Sequence, residues 1–115
     1  MNIVVQGTKS FSDYQTFMRA MGVVLSSIGD DNKFNIYSAG PAKVNSFAAE
    51  FSNMSEAGLK ARGIKVSFNR VPISFISERI DEFDHVIFFS KPNEPTSNLV
   101  ASAELSDVDV SVFRY

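Results

Sequence analysis

Residues 85–90 read HVIFFS, within a longer stretch, 80–100, that reads IDEFDHVIFFSKPNEPTSNLV. Val86 to Phe89 are continuously apolar. A strand with no polar face is buried on both sides, the condition in the middle of a parallel sheet covered by helices. The run is far too short to span a bilayer. A helical segment precedes it, and the loop KPNEPTSN at 91–98 leads into another. HVIFFS is therefore an inner strand between two helices.

NIVVQ at 2–6 has the same character. Three further runs, FNIYS at 34–38, KVSFN at 65–69 and VDVSVF at 108–113, also have strand composition. The 65–69 and 108–113 runs alternate apolar and polar residues, which suits edge strands with one wet face. Between the strands the apolar spacing predicts helices. Residues 13–28 carry Tyr14, Phe17, Met18, Met21, Leu25 and Ile28, with Ser12 or Asp13 as cap and Gly29 as stop. Residues 43–62 carry Val44, Phe47, Ala48, Phe51, Met54 and Leu59, ending before Gly63. Residues 74–83 carry Phe75, Ile76, Ile80 and Phe83. Residues 96–105 carry Leu99, Val100, Ala103 and Leu105, with Thr96 or Ser97 as cap. Strict β-α alternation means one doubly wound α/β domain over 1–115, a parallel sheet with helices on both faces and right-handed crossovers. In such a sheet a ligand binds beyond the carboxyl ends of the strands. The segments that matter are thus Gly7–Asp13, Ala39–Ser46, Asn69–Ser74 and Lys91–Ser97.

The chain has 115 residues, 44% of them hydrophobic and 21% charged, with a formal net charge of −2. This suits one soluble domain with a full core. The charge argues against a dedicated nucleic-acid surface, which needs surplus Lys and Arg on one face. With no cysteine, disulfides, thiolate catalysis and cysteine-ligated zinc are excluded. MNIVVQG has no basic segment followed by a long apolar one, so no signal peptide is read there and the cytoplasm is the expected compartment. With 11 Phe and no Trp, phenylalanine supplies much of the core bulk.

Three of the loop segments, in order, resemble the small Rossmann-like group called SLOG, in particular the YspA- and YpsA-related domain of unknown function. Its relatives include the DNA-processing protein of transformation and the lysine decarboxylase-like phosphoribohydrolases. IVVQGTKSFSDYQTFMRAM at 3–21 is similar to the group's opening, Gly-Ser-Arg-x-Phe-x-Asp-Tyr after an apolar strand; Gly7, Thr8, Lys9, Phe11, Asp13 and Tyr14 take those places. IYSAGPAKVNSFAA at 36–49 resembles a strand, Gly-Gly-Ala-Arg-Gly-x-Asp and a helix, with Ala39 to Asn45 on the glycine-rich loop. Residues 80–100 resemble a buried strand followed by Pro-Gly-Gly-x-Gly-Thr, with Thr96 on the threonine. The resemblance implies a five-stranded sheet of order 3-2-1-4-5 with a site above strands 1, 2 and 4. In the group that site receives nucleotides or nucleotide-derived molecules. Carried over, the ligand-binding residues are Gly7, Thr8, Lys9, Gly40, Lys43, Asn45 and Thr96.

This chain departs from that pattern where phosphate chemistry is most demanding. Glycine lets backbone amides close on an anion. The second loop keeps Gly40 alone, Pro41 has no amide hydrogen, Lys43 stands for the last glycine, and Asn45 replaces the carboxylate. The third loop has no glycine, and Pro92 and Pro95 each remove a donor. Either Lys9 and Lys43 replace the lost amides, or the pocket has given up its ligand and the fold works as a binding surface. Two losses in separate loops favour the second. The expectation is a non-catalytic binding protein, with no catalytic residue, metal or cofactor, that acts on another protein, such as an enzyme of nucleotide or nucleic-acid metabolism. The alternative is a receptor or hydrolase for a nucleotide-like ligand.

The remaining candidates read as structural. His85, the single histidine, starts strand 4 at the end opposite the ligand side. Asp81, Glu82 and Asp84 lie at that same end, as a solvated helix terminus. Ser10 and Ser12 have no histidine in reach by motif, so a Ser-His nucleophile is not supported. Arg70, just after strand 3, and Arg79 could serve anions at the rim, with surface solvation as the default reading. VDVSVFRY is apolar enough to pair with another copy, which makes a homodimer through an edge or a helix face an expectation.

Overall fold

A computed structural model describes residues 1–40 and 42–115, Ala42 by its backbone alone. Five strands, β1 (Asn2–Gly7), β2 (Lys33–Ser38), β3 (Lys65–Arg70), β4 (His85–Ser90) and β5 (Asp109–Arg114), form one sheet in the order β3-β2-β1-β4-β5. Every pairing is parallel. The chain is thus α/β and Rossmann-like, with β3 and β5 at the edges. The strand order reverses between β1 and β4, so the connections on either side leave in opposite directions and open a crevice there.

Helices α1 (Tyr14–Leu25) and α2 (Ala42–Ala61) cover one face. Phe17, Met21, Val24, Val44 and Phe51 pack there on Ile3, Val5, Phe34, Ile36, Ile87 and Phe89. Helices α3 (Ile73–Glu78) and α4 (Asn98–Leu105) cover the other, where Ile76, Leu99 and Ala103 meet Val4 and Val86. In β1 and β4 every residue after the first is buried, as the unbroken apolar runs require. Phe11, Phe17, Phe34 and Phe89 are the bulkiest fully buried side chains. Phe11 stacks on Phe89 with centroids 4.5 Å apart.

The helix ends differ from the spacing, for identifiable reasons. Asp13 caps α1, accepting from the Thr16 amide at 3.1 Å and the Thr16 hydroxyl at 2.8 Å. The helix stops at Leu25, not Ile28, because the hydroxyls of Ser26 and Ser27 bond back to the carbonyls of Val23 and Val24. The segment expected as one helix over 74–83 is the six-residue α3 followed by a 3₁₀ turn, Ile80–Glu82. There the Arg79 guanidinium lies 4.1 Å over the Phe75 ring and donates to the Phe75 carbonyl, the acceptor the next helical amide needs. Met54 and Leu105, expected on buried stripes, are 60% and 88% exposed.

Because α3 is short, the face of β2 and β3 opposite α2 carries polar side chains. Asn35 donates to Asn2 at 2.8 Å, Ser67 to Asn35 at 2.7 Å, and Asn69 to Ser67 at 3.1 Å. This ladder crosses three strands and takes the place of a covering helix.

Candidate functional site

Gly7 ends β1 in the tightest contact of the carboxyl-end face. A Cβ there would lie 2.9 Å from Val44 Cγ2 and 3.3 Å from the Phe89 carbonyl oxygen. Only a residue without a side chain lets α2 start this close to the sheet. The next amide, of Thr8, donates to the Phe89 carbonyl at 3.0 Å, and the Phe11 amide to the Thr8 carbonyl at 3.1 Å. The Thr8 and Phe11 amides are therefore committed to the loop itself.

Across the crevice, Glu94 reaches from the β4–α4 loop to the β1–α1 loop. Its carboxylate accepts from the Thr8 hydroxyl at 3.2 Å, from the Ser10 hydroxyl at 3.2 Å to each oxygen, and from the Lys91 amide at 3.0 Å. The Lys91 amide first, then the two hydroxyls, hold the Glu94 carboxyl below its ordinary range. Tyr115 closes the top: its hydroxyl lies 3.1 Å from those of both Thr8 and Ser10, and its ring 5.0 Å from Phe11. Arg114 fixes the carbonyls of Lys91 and Glu94 at 3.0 and 3.1 Å, and also bonds Ser90. An anion at the reversal point, surrounded by donors, is what the fold offers a phosphate. Here the protein's own carboxylate takes those donors.

The sequence candidates separate into two groups. Gly7 and Thr8 sit at the crevice in packing and clasp roles. Asn45 is 7% exposed and holds the β2–α2 loop: Ser38 donates to its Oδ1, and its Nδ2 donates to the Gly40 carbonyl at 3.0 Å. Both ends of its amide are thus engaged. Gly40 has φ +146°, a backbone that favours glycine. Lys9, Lys43 and Thr96 are exposed, and among the described residues no hydrogen bond or ion pair holds their side chains. Pro41 lies outside the described residues. Ser97, at the α4 N-cap position, gives its hydroxyl to Gln6 Oε1 at 2.7 Å instead of capping the helix.

Sequence reasoning missed Glu94 and Tyr115. The available signal was local: Glu94 is the one carboxylate of a loop stiffened by Pro92 and Pro95 that has no glycine to hold an external anion.

An open cleft of about 570 Å³ lies one strand away, beyond the ends of β2 and β3. Gly40, Asn45, Arg70, Val71, Pro72 and Ile73 line it. Charge is distributed unevenly along the strand axis. The carboxyl-end rim carries Lys9, Lys43, Arg70, Lys91 and Arg114 against Asp13 and Glu94. The opposite end carries the Asp30–Asp31 pair, the Asp81–Asp84 stretch, Asp107 and Asp109 against Lys33, Lys60, Arg62 and Lys65. His85 lies at that acidic end with Nε2 2.8 Å from Ser111 Oγ; burial lowers its pKa, and Asp109 partly offsets the shift.

Among the described residues no helix is long and apolar enough to cross a membrane, and no group of three or more His, Cys, Asp or Glu could hold a metal ion. In comparisons with known proteins, no protein-family model, curated protein or solved structure matches the chain.

Proposed function

We propose that this chain is a non-catalytic binding protein built on a SLOG-like nucleotide-binding scaffold, acting through contact with another protein. The carrying observation is Glu94. Its carboxylate takes the Thr8 and Ser10 hydroxyls and the Lys91 amide at the reversal point between β1 and β4. A phosphate entering there would have to displace that carboxylate or share a site with it, and like charges at such range repel. The loss of glycines from the second and third loops points the same way. The partner class follows from the scaffold's resemblance: an enzyme of nucleotide or nucleic-acid metabolism whose activity this chain modulates. Edge strand β5, whose four inner residues are half-buried, is the surface on which a second copy would pair.

A melting-shift screen tests this. A ligand that binds the folded state raises the melting temperature by mass action. Nucleotides and inorganic phosphate should leave the wild-type transition in place, whereas Glu94→Ala should gain a phosphate-dependent rise because its donors are freed. A nucleotide-induced rise in the wild-type protein that Lys43→Glu abolishes would overturn the proposal in favour of a nucleotide receptor.

A further inference from the structure

We infer that the β2–β3 cleft is a separate small-molecule site whose ligand is a monocarboxylate on an apolar body. This goes beyond the closed crevice and does not depend on it. The cleft, about 570 Å³, falls within the size range of small-molecule pockets. One wall is apolar: Val71, Pro72 and Ile73, with Ile73 47% exposed although it is a large hydrophobic residue. Arg70 ends β3 at the same cleft, and among the described residues its guanidinium has no hydrogen-bond or ion-pair partner. An unpaired guanidinium beside exposed apolar surface matches a carboxylate joined to a hydrocarbon body, because its fork binds two carboxylate oxygens in one plane.

The charge of the ligand follows from what else lines the cleft. Asn45 is neutral, 7% exposed and tied to Gly40 and Ser38, so it adds no charge to the cleft. Among the described residues that line it, only Arg70 carries a charge, so a single negative charge is matched and a phosphate dianion is not. Lys43, two residues before Asn45 on α2, adds to the positive potential of the rim and speeds arrival without a contact.

The test is a two-dimensional amide NMR titration of the full chain with phenylacetate, and with acetate, phenyl phosphate and benzyl alcohol as comparison probes. Phenylacetate should move the amides of Gly40, Arg70, Val71 and Ile73, and bind at least about fivefold more tightly than any of the other three. Arg70→Gln should weaken phenylacetate about tenfold or more, as expected for loss of a charge-assisted pair. Ile73→Asp should weaken phenylacetate more than acetate. The inference is overturned if those amides do not move, if phenyl phosphate or acetate binds as well as phenylacetate, or if Arg70→Gln binds like the wild type. Movement at Thr8, Ser10 and Glu94 instead would overturn both this inference and the closed-crevice proposal. A silent cleft with a silent crevice would overturn this inference alone.

Discussion

Asn45 is held at both ends of its side-chain amide, and the loss of that packing role can be estimated. Asn45→Ala removes two interactions at once. The Ser38 side chain is 0% exposed, so its hydroxyl loses its acceptor where water cannot take its place. An unsatisfied buried donor costs about 1–3 kcal/mol. The Gly40 carbonyl loses the Asn45 amide, but Gly40 is exposed and water can replace it, which leaves a net cost of about 1 kcal/mol. The expected destabilisation is about 2–4 kcal/mol. For a chain of 115 residues this lowers the thermal midpoint by about 8–16 °C. Asn45→Asp keeps the acceptor for Ser38 but turns an oxygen towards the Gly40 carbonyl, and should fall between the two. The assay is urea unfolding followed by far-UV circular dichroism, in a double-mutant cycle with Ser38→Ala. The coupling between the two sites should be about 1–2 kcal/mol. If Asn45→Ala unfolds within about 0.5 kcal/mol of the wild type, the residue is not a clip and its placement has some other purpose.

Gly7→Ala should destabilise by about 1–3 kcal/mol through the 2.9 Å approach to Val44, and the cost should shrink in a Val44→Ala background; additive urea-unfolding energies would refute the close-packing account. The Glu94 clasp should loosen in acid: because the folded-state pKa is lowered, its contribution is complete above about pH 4.5 and lost as pH falls through the lowered value. Amide exchange at Lys91 reads this, and an unchanged acid profile in Glu94→Gln would exclude the carboxylate as the cause. His85 also has a lowered folded-state pKa, so its contribution is full above about pH 6.5 and declines as pH falls below that value. His85→Gln should flatten that part of the stability profile in chemical denaturation. Leu105→Glu should change stability by less than about 0.5 kcal/mol, since the side chain is 88% exposed; a larger loss by thermal melting would mean Leu105 is covered.

The sheet was legible because its signals are local and repeated. Val86–Phe89 and Ile3–Val5 can be dry on both sides only as inner strands, and the alternation of Val66 with Phe68 marks an edge. Asp13 was readable as a cap for the same reason, since cap and helix are adjacent in sequence. The clasp was not. Thr8 and Glu94 are 86 positions apart, and a single Glu in a loop has no period to betray its partner. The early end of α1 depends on serine hydroxyls competing for backbone carbonyls, a choice that apolar spacing does not record. The end of α3 depends on Arg79 folding back onto Phe75, which needs the three-dimensional turn already formed. The loop position of Asn45 suggests a ligand role, whereas its partner Ser38 lies only seven residues away but on a different element.

The polar ladder of Asn2, Asn35, Ser67 and Asn69 has a consequence for how this chain avoids misassembly. In β2 Asn35 sits between Phe34 and Ile36, and in β3 Ser67 and Asn69 alternate with Val66 and Phe68. A slip of one residue would turn amides into the hydrocarbon layer beneath α2 and put phenylalanine in water, so the alignment of three strands has a wrong answer that is strongly penalised. The same side chains make β3 a wet margin that gives little reward to a foreign strand. The other margin, β5, has Val110 and Val112 in place of amides. If this protein aggregates on storage or assembles in the cell by adding strands, growth should start from β5, and the sheet should extend in one direction only.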